Sequence, residues 1–325
     1  AVTVPAALDV LAAQPGTEIL LCGMPDALRP VLERQRSGRK KVLGRLHIVT
    51  ATHALASDAS PVTALRRGED SSLWLALQQL ADGRAAACIS AGSTAAMLAL
   101  GVKLIGLLEG IERPALMSRI PSASGHTSLL DLGANLNVSA PQLVQFALMG
   151  SVVCAMHDTP RPRVALLNVG HEDNKGDALV KRAHAALKTL PINYTGFIEG
   201  HDIFAGKADV AVCDGFSGNL ILKSGEGLAR MLLKQLDSAL HDGMLARFGA
   251  LLARPALRRS LARFEPSKHN GAPLLGLKGV VIKSHGNAER DAMRCAILEG
   301  VLEARRQVPA LIEKMIRDHF NEVDV

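Results

Sequence analysis

Short apolar runs alternate with longer stretches of helical period almost from one end of the chain to the other, and each run stops at Gly, Pro, Asn or Ser. The alternation predicts strands at 17–22, 45–50, 85–90, 128–132, 163–169, 192–197, 208–213 and 280–283. Helices are expected between them, for example at 72–81, 141–155 and 177–190. Strands separated by helix-length connections give an α/β protein, three-layered α/β/α with a mostly parallel sheet, because a parallel crossover needs such a connection. In open α/β sheets, sites gather beyond the carboxyl ends of strands. The polar clusters of this sequence fall there.

Between Ala208 and Lys223 the chain reads ADVAVCDGFSGNLILK, a strand end, a Gly-rich turn and a helix start. The order Asp214, Gly215, Gly218, Asn219, Lys223 brings backbone N–H groups, a helix dipole and an ammonium group together, which suits an anion. An echo precedes it in GRAAACISAGSTAAMLAL, where Gly83, Arg84, Ala85 and Gly92 match Gly206, Lys207, Ala208 and Gly215 at one constant offset. Two related strand–loop–helix units sharing one sheet are expected, although small residues end strands in any α/β fold. Within the echo, Ser93 and Thr94 open a helix, as phosphate contacts or as caps.

Further clusters carry candidate chemistry. LLDLGANLN places Asp131, Asn135 and Asn137 around Gly133, and Asn in such a turn also bonds its own backbone. In NVGHEDNKGD, Asn168 and Lys175 are the expected anion contacts. His171, Glu172 and Asp173 do not have calcium-loop spacing, and His171 is expected to be exposed and uninvolved. IEGHDIF adds Glu199, Gly200, His201 and Asp202 after another strand. Late in the chain, KHNGAPLLG and VVIKSHGNAERD contribute Lys268, His269, Asn270, Lys283, Ser284 and His285. A His beside Gly at a strand end suits acid–base work, with a structural role as the equal alternative.

One region breaks the alternation. Over 238–264, Met244, Leu245, Phe248, Leu251 and Leu252 share a helical face, and Leu257, Leu261 and Phe264 form a second stripe after Pro255. Arg247, Arg254, Arg258, Arg259 and Arg263 take other positions. A basic amphipathic helical pair reads as a membrane-surface contact, or as a dimer-interface or core-packed hairpin with solvated arginines.

Composition narrows the class. The chain has 325 residues, 48% hydrophobic and 21% charged, which fits a globular protein with a sizeable core. Aromatics at 3% argue against stacking-based binding of single-stranded nucleic acid, while a net charge of +6 favours anionic partners, whether phosphates, acidic carrier proteins, anionic lipid or nucleic acid, without choosing among them. The five cysteines lack metal or redox spacing and read as buried reduced thiols. No leader is read at the start, and the longest apolar stretches, 95–108 and 143–156, are interrupted by Lys103 and Gln145. Both fall short of the roughly 20 residues that span a bilayer. GxGxxG, Walker A, HExxH and GxSxG are absent, which weakens dinucleotide, P-loop, zincin and α/β-hydrolase readings.

With these residues in view, the chain resembles the PlsX family of phosphate acyltransferases, bacterial enzymes of phospholipid synthesis. The likeness runs through RRGEDSSLWLAL, ISAGSTAA, GIERPAL, LLDLGAN, FALMGSV, LLNVGHEDNKG, IEGHDIF, DVAVCDGFSGNLILKSGEG and HNGAPLLGLKGVVIKSHG. It implies reversible transfer of a fatty acyl group from acyl carrier protein, or from coenzyme A, to inorganic phosphate. The acyl phosphate product would feed a glycerol-3-phosphate acyltransferase. It also implies an isocitrate/isopropylmalate dehydrogenase-like fold, a cytoplasmic homodimer and peripheral membrane association, the last favouring lipid for a protruding hairpin at 238–264. Metal and cofactor are not expected. Family members open with a strand and an Asp-Ala-Met-Gly-Gly-Asp turn that would precede Ala1, and their Ser-Ala-Gly-Asn-Thr-Gly loop has Ser93 and Ala95 here. On this resemblance Ser93, Thr94, Asn135, Asn168, Asp214, Asn219, Lys223 and Ser284 are the expected phosphate or thioester contacts. Lys175 would offset developing charge and His285 would protonate the departing thiolate, while Asp214 orients its loop rather than acting as a base. A phosphotransacetylase-like acyl-CoA enzyme is the alternative, and an isopropylmalate-type dehydrogenase or a non-catalytic membrane or nucleic-acid adaptor would be the competing classes.

Overall fold

A computed structural model describes residues 2–35, 40–157, 159–261 and 270–320. Lys268, His269 and the 262–264 end of the expected hairpin lie outside them. Among the described residues the chain begins with α1 (Thr3–Ala13), β1 (Ile19–Gly23), α2 (Pro25–Arg34), α3 (Lys40–Leu43), β2 (Leu46–Thr50), α4 (Pro61–Arg67) and α5 (Ser72–Ala81). It continues through β3 (Ala87–Ser90), α6 (Thr94–Leu104), β4 (Ala115–Leu116), β5 (Ser118–Ser122), β6 (Gly125–Leu130), α7 (Ala140–Met156), β7 (Val164–Leu167), α8 (Ala178–Leu187) and β8 (Tyr194–Ile198). The last part is α9 (Gly200–Ala205), β9 (Val210–Val212), α10 (Gly215–His241), α11 (Gly243–Leu261), β10 (Ala272–Leu275), β11 (Val280–Lys283), α12 (Arg290–Arg306) and α13 (Val308–Phe320).

Every expected strand forms, but the strands do not share one sheet. They make a β1–β2 pair, a four-stranded β3–β11–β10–β4 sheet and a five-stranded β5–β6–β9–β7–β8 sheet. The units carrying β3 and β9 therefore stand in different sheets. β1 with β2, β3 with β11, and β6, β9, β7 and β8 among themselves are parallel, whereas β10 and β5 pair antiparallel. These antiparallel strands escaped the sequence pattern because they are short and carry Pro121 and Pro273, which argue against strand.

α7 shows how the core forms. From Leu143 to Cys154 every residue is buried, including Phe146 at 0% exposure. A helix apolar on all sides needs partners all round. The five-stranded sheet, α8 and α13 supply them. The apolar length that stopped short of a bilayer is spent here. No helix among the described residues is long and apolar enough to cross a membrane.

Beyond the core, the chain turns between α10 and α11 at Asp242, where Gly243 has φ +85°. The sequence pattern had placed the break at Pro255. α11 instead runs through Pro255 to Leu261, and the first arm reaches back to Gly215. A positive φ ends a helix at little cost only with Gly, whereas proline leaves most of the helical ladder intact.

Candidate active site

The floor of the site is a loop built on a buried carboxylate. After β6, Asp131 is 0% exposed and accepts four N–H bonds: Oδ1 from Leu116 N at 3.0 Å and Ala134 N at 3.1 Å, Oδ2 from Asn135 N at 2.6 Å and Asn135 Nδ2 at 3.0 Å. Burial still holds its carboxyl above the usual range, against those donors. Asn135 Nδ2 also donates to Pro114 O at 2.8 Å, so both amide hydrogens are committed. Asn135 therefore builds the loop and presents no amide hydrogen to a ligand.

The α10 corner is pressed onto this floor. Gly215 N donates to Asn135 O at 2.8 Å, and a Cβ on Gly218 would lie 1.9 Å from Asp131 O. Only glycine fits there. Asp214 caps α10, Oδ1 accepting from Ser217 N at 2.8 Å and Oδ2 from Ser217 Oγ at 2.8 Å. Gly218 N bonds Asp214 O. The helix start that looked like an anion cradle thus spends most of its amides internally. Exposed Asn219 sits over Gly133, whose added Cβ would lie 3.6 Å from its own.

The echo behaves differently. Ser93 caps α6, accepting from Ala96 N at 3.3 Å, and donates its one hydroxyl hydrogen to Ala59 O at 2.9 Å. The N–H groups of Thr94 and Ala95, the first two residues of the helix, make no hydrogen bond among the described residues. Beside them stands the end of β11: Lys283 is in register with Ser90, and Ser284 N donates to Ser90 O at 2.8 Å. Gly286 closes on Ala91 O. Asn270 fixes this element, donating to Ser284 Oγ at 2.8 Å and Ala292 O at 2.8 Å while accepting from His285 N at 3.0 Å. Ser284, at 0% exposure, is a strut.

α10 then crosses this corner. Lys223 Nζ pairs with Glu226 Oε2 at 3.1 Å, and Glu226 Oε1 lies 3.9 Å from His285 Nε2. Burial, then Lys223, lowers the Lys283 ammonium below its ordinary value. Burial also lowers His285; Glu226 pulls it back up, while Lys223 and Lys283 push it further down. Two lysines and an imidazole of lowered pKa are thus grouped at the end of β11, a chemistry able to receive an anion. Lys283 and Glu226 were not in the expected set, although Glu226, at helical spacing from Lys223, was findable as its partner.

Asn168 and Lys175 lie in another cluster, beyond β7. Asn168 Nδ2 donates to Gly170 O at 3.1 Å and Lys175 O at 3.3 Å, committing its amide to the loop. Exposed Lys175 has no ion pair among the described residues, and no bond joins it to Lys223 or His285. His171 is not idle: Nε2 reaches buried Asp202 at 3.1 Å and Nδ1 lies 3.1 Å from Phe197 O, tying this loop to α9.

Residues 1–311 match the model of a family described as fatty acid synthesis protein. The chain belongs to that family. It is 42% identical over 320 residues to a protein named phosphate acyltransferase from Pseudomonas syringae pv. syringae, covering 98% of this chain and 93% of the relative. A protein of the same name from Shewanella sp. is 44% identical over 325 residues, covering 99% and 93%. The resemblance read from the motifs therefore holds. Among solved structures, a phosphotransacetylase from Streptococcus pyogenes superposes with TM-score 0.59 at 17% identity, covering 93% of this chain and 91% of that one. 4-Hydroxythreonine-4-phosphate dehydrogenase from Klebsiella pneumoniae gives 0.54 at 13%, covering 92% and 97%. At that identity the likeness speaks to fold alone, a mixed α/β fold rich in parallel strands and compatible with three α/β/α layers.

Proposed function

We propose that the protein is a phosphate acyltransferase that moves a fatty acyl group from acyl carrier protein to inorganic phosphate, with its phosphate pocket between the start of α6 and the end of β11. The observation that carries this reading is the electrostatic grouping of Lys283, Lys223 and His285 at the end of β11, the strand in register with the one that leads into α6, whose Thr94 and Ala95 amides have no bonding partner among the described residues. The family membership and the relatives' shared name support the reaction.

Phosphate needs no strong base, being largely anionic at neutral pH. Thr94 and the two amides hold it, and Lys283 and Lys223 supply the charge. A phosphate oxygen adds to the thioester carbonyl carbon, and the lysines stabilise the oxyanion. Collapse breaks the C–S bond, giving acyl phosphate and a thiolate, whose free pKa of about 8.5 makes it a fair leaving group. His285, its proton affinity raised once a phosphate dianion sits beside it, can take the proton that the attacking hydrogen phosphate gives up and pass it to the departing sulfur, which leaves as the thiol. Asn219, on the exposed face above Gly133, flanks the acyl side, and Lys175 attracts the acidic carrier from the neighbouring rim. Ser93, Asn135, Asn168, Asp214 and Ser284 contribute by holding the loops.

The same reading places the enzyme in the cytoplasm as a homodimer of isocitrate/isopropylmalate dehydrogenase-like fold, working at the membrane surface. In support, Met244, Phe248, Leu251 and Leu252 on α11 are 88%, 62%, 63% and 68% exposed, with Arg247 and Arg254 also exposed. Lipid or the second protomer would cover them, and a membrane-bound glycerol-3-phosphate acyltransferase would take the product.

The test is incubation with phosphate and either palmitoyl carrier protein or palmitoyl coenzyme A, followed by trapping with hydroxylamine. Phosphate-dependent hydroxamate, formed faster from the carrier thioester, is expected. Folded protein that yields none above a phosphate-free control would sink the assignment.

A further inference from the structure

At the opposite edge of the five-stranded sheet, by the amino ends of β6, β7 and β9, lies a cavity of about 210 Å³. Arg119 and His157 line it, and neither belongs to the site above. Just behind it, α12 presents Glu299 and Glu303, one helical turn apart and hence on one face. His157, the residue that ends α7, completes the group from a different part of the chain.

The donor atoms of His157, Glu299 and Glu303 all lie within 4.8 Å of one another, spacing that one small ion could bridge. Two of them lack hydrogen bonds. Among the described residues, His157 Nε2 and Glu303 Oε1 are both buried without a hydrogen-bond partner, in side chains 9% and 2% exposed. His157 Nε2 stands 3.4 Å from Glu299 Oε1, an ion pair only if the ring is protonated. A buried carboxylate oxygen and a buried ring nitrogen left open cost free energy unless something satisfies both.

The surroundings suit a ligand set rather than a bare ion pair. Arg119 Nη2 reaches Glu299 Oε1 at 3.3 Å, the kind of outer contact that orients a metal-binding carboxylate. One imidazole with two carboxylates, and a cavity giving access and room for a solvent ligand, matches a divalent transition metal better than magnesium. We propose that His157, Glu299 and Glu303 bind a divalent transition-metal ion, zinc being the best chemical match, and that the ion clamps α12 to the end of α7.

The test uses the full chain, stripped with a chelator and titrated calorimetrically with zinc chloride, alongside Glu303→Gln, His157→Asn and, as a control on an exposed glutamate of the same helix start, Glu289→Gln. Circular dichroism checks each fold; should one site variant misfold, the other decides. One zinc per chain is expected, with affinity falling at least about tenfold in Glu303→Gln and in His157→Asn and unchanged in Glu289→Gln. Zinc is also expected to raise the wild-type melting temperature, and not that of the site variants. Absence of saturable zinc binding by the wild type, or equal affinity in wild type and site variants, would overturn the proposal.

Discussion

Two corners with the same sequence plan, ISAGSTAA before α6 and VCDGFSGN before α10, have come to do different things. Both run strand, glycine, capping side chain and helix, with Ser93 and Asp214 as the caps. At α10 the glycines allow the helix to press onto the Asp131 loop, and the amides are used in that contact. At α6 nothing presses so closely, and two amides stay open beside Lys283. Shared pattern fixes the local turn; what packs against the turn decides whether it binds a ligand or builds a wall.

The largest expected effects test the wall. Gly218→Ala should cost about 2 kcal/mol or more and most of the activity, because its Cβ would overlap backbone at Asp131 O. Gly92→Ala meets only Ser90 Oγ at 3.3 Å and should cost under about 1 kcal/mol. Chemical denaturation of both variants checks this, and equal losses would erase the distinction between the corners.

Next come the charges at the open corner. Lys283→Met and Lys223→Met should each lower kcat/KM for phosphate by about a hundredfold while the fold survives, on the scale of a lost oxyanion donor. Steady-state kinetics with varied phosphate decides; a change under about threefold in both would move the phosphate elsewhere.

A smaller effect reads the electrostatics directly. His285 should titrate below the ordinary histidine value in NMR. Lys223→Met removes a cation that lowers it, so its pKa should rise; Glu226→Gln removes an anion that raises it, so its pKa should fall. Movement in the opposite sense in either variant would contradict the contacts described.

The smallest expected change concerns a cap. Ser93→Ala should lower stability by about 1 kcal/mol, since Ala96 N loses its acceptor and Ala59 O its donor. KM for phosphate should stay within about twofold in the same protein, because that hydroxyl has no hydrogen left to offer. A large rise in KM without loss of stability would return Ser93 to the pocket.

Much of this was legible along the chain. Period and punctuation located the strands, and α5 and β11 begin and end where the pattern put them. Less legible was the direction in which polar side chains point. Asn135, Asn168 and Ser284 carry the right chemistry for phosphate, yet Asn135 and Asn168 donate to backbone carbonyls of their own surroundings and buried Ser284 accepts from the Asn270 side chain. Lys283 stood in a candidate cluster without a role of its own, because nothing along the chain says what lies beside the strand it ends; its register with Ser90 gives it meaning.

By itself the sequence determined the α/β class, the family, the corners where strands meet helices and the helix that had to be buried on all sides. Those are properties of local periodicity, turn chemistry and ordered motif. The tertiary structure alone decided that the strands split into three sheets, which of two similar corners keeps its amides open, and that His157 meets Glu299 and Glu303 across the fold. Such outcomes depend on contacts between residues far apart in sequence, and spacing along the chain does not encode distance across it.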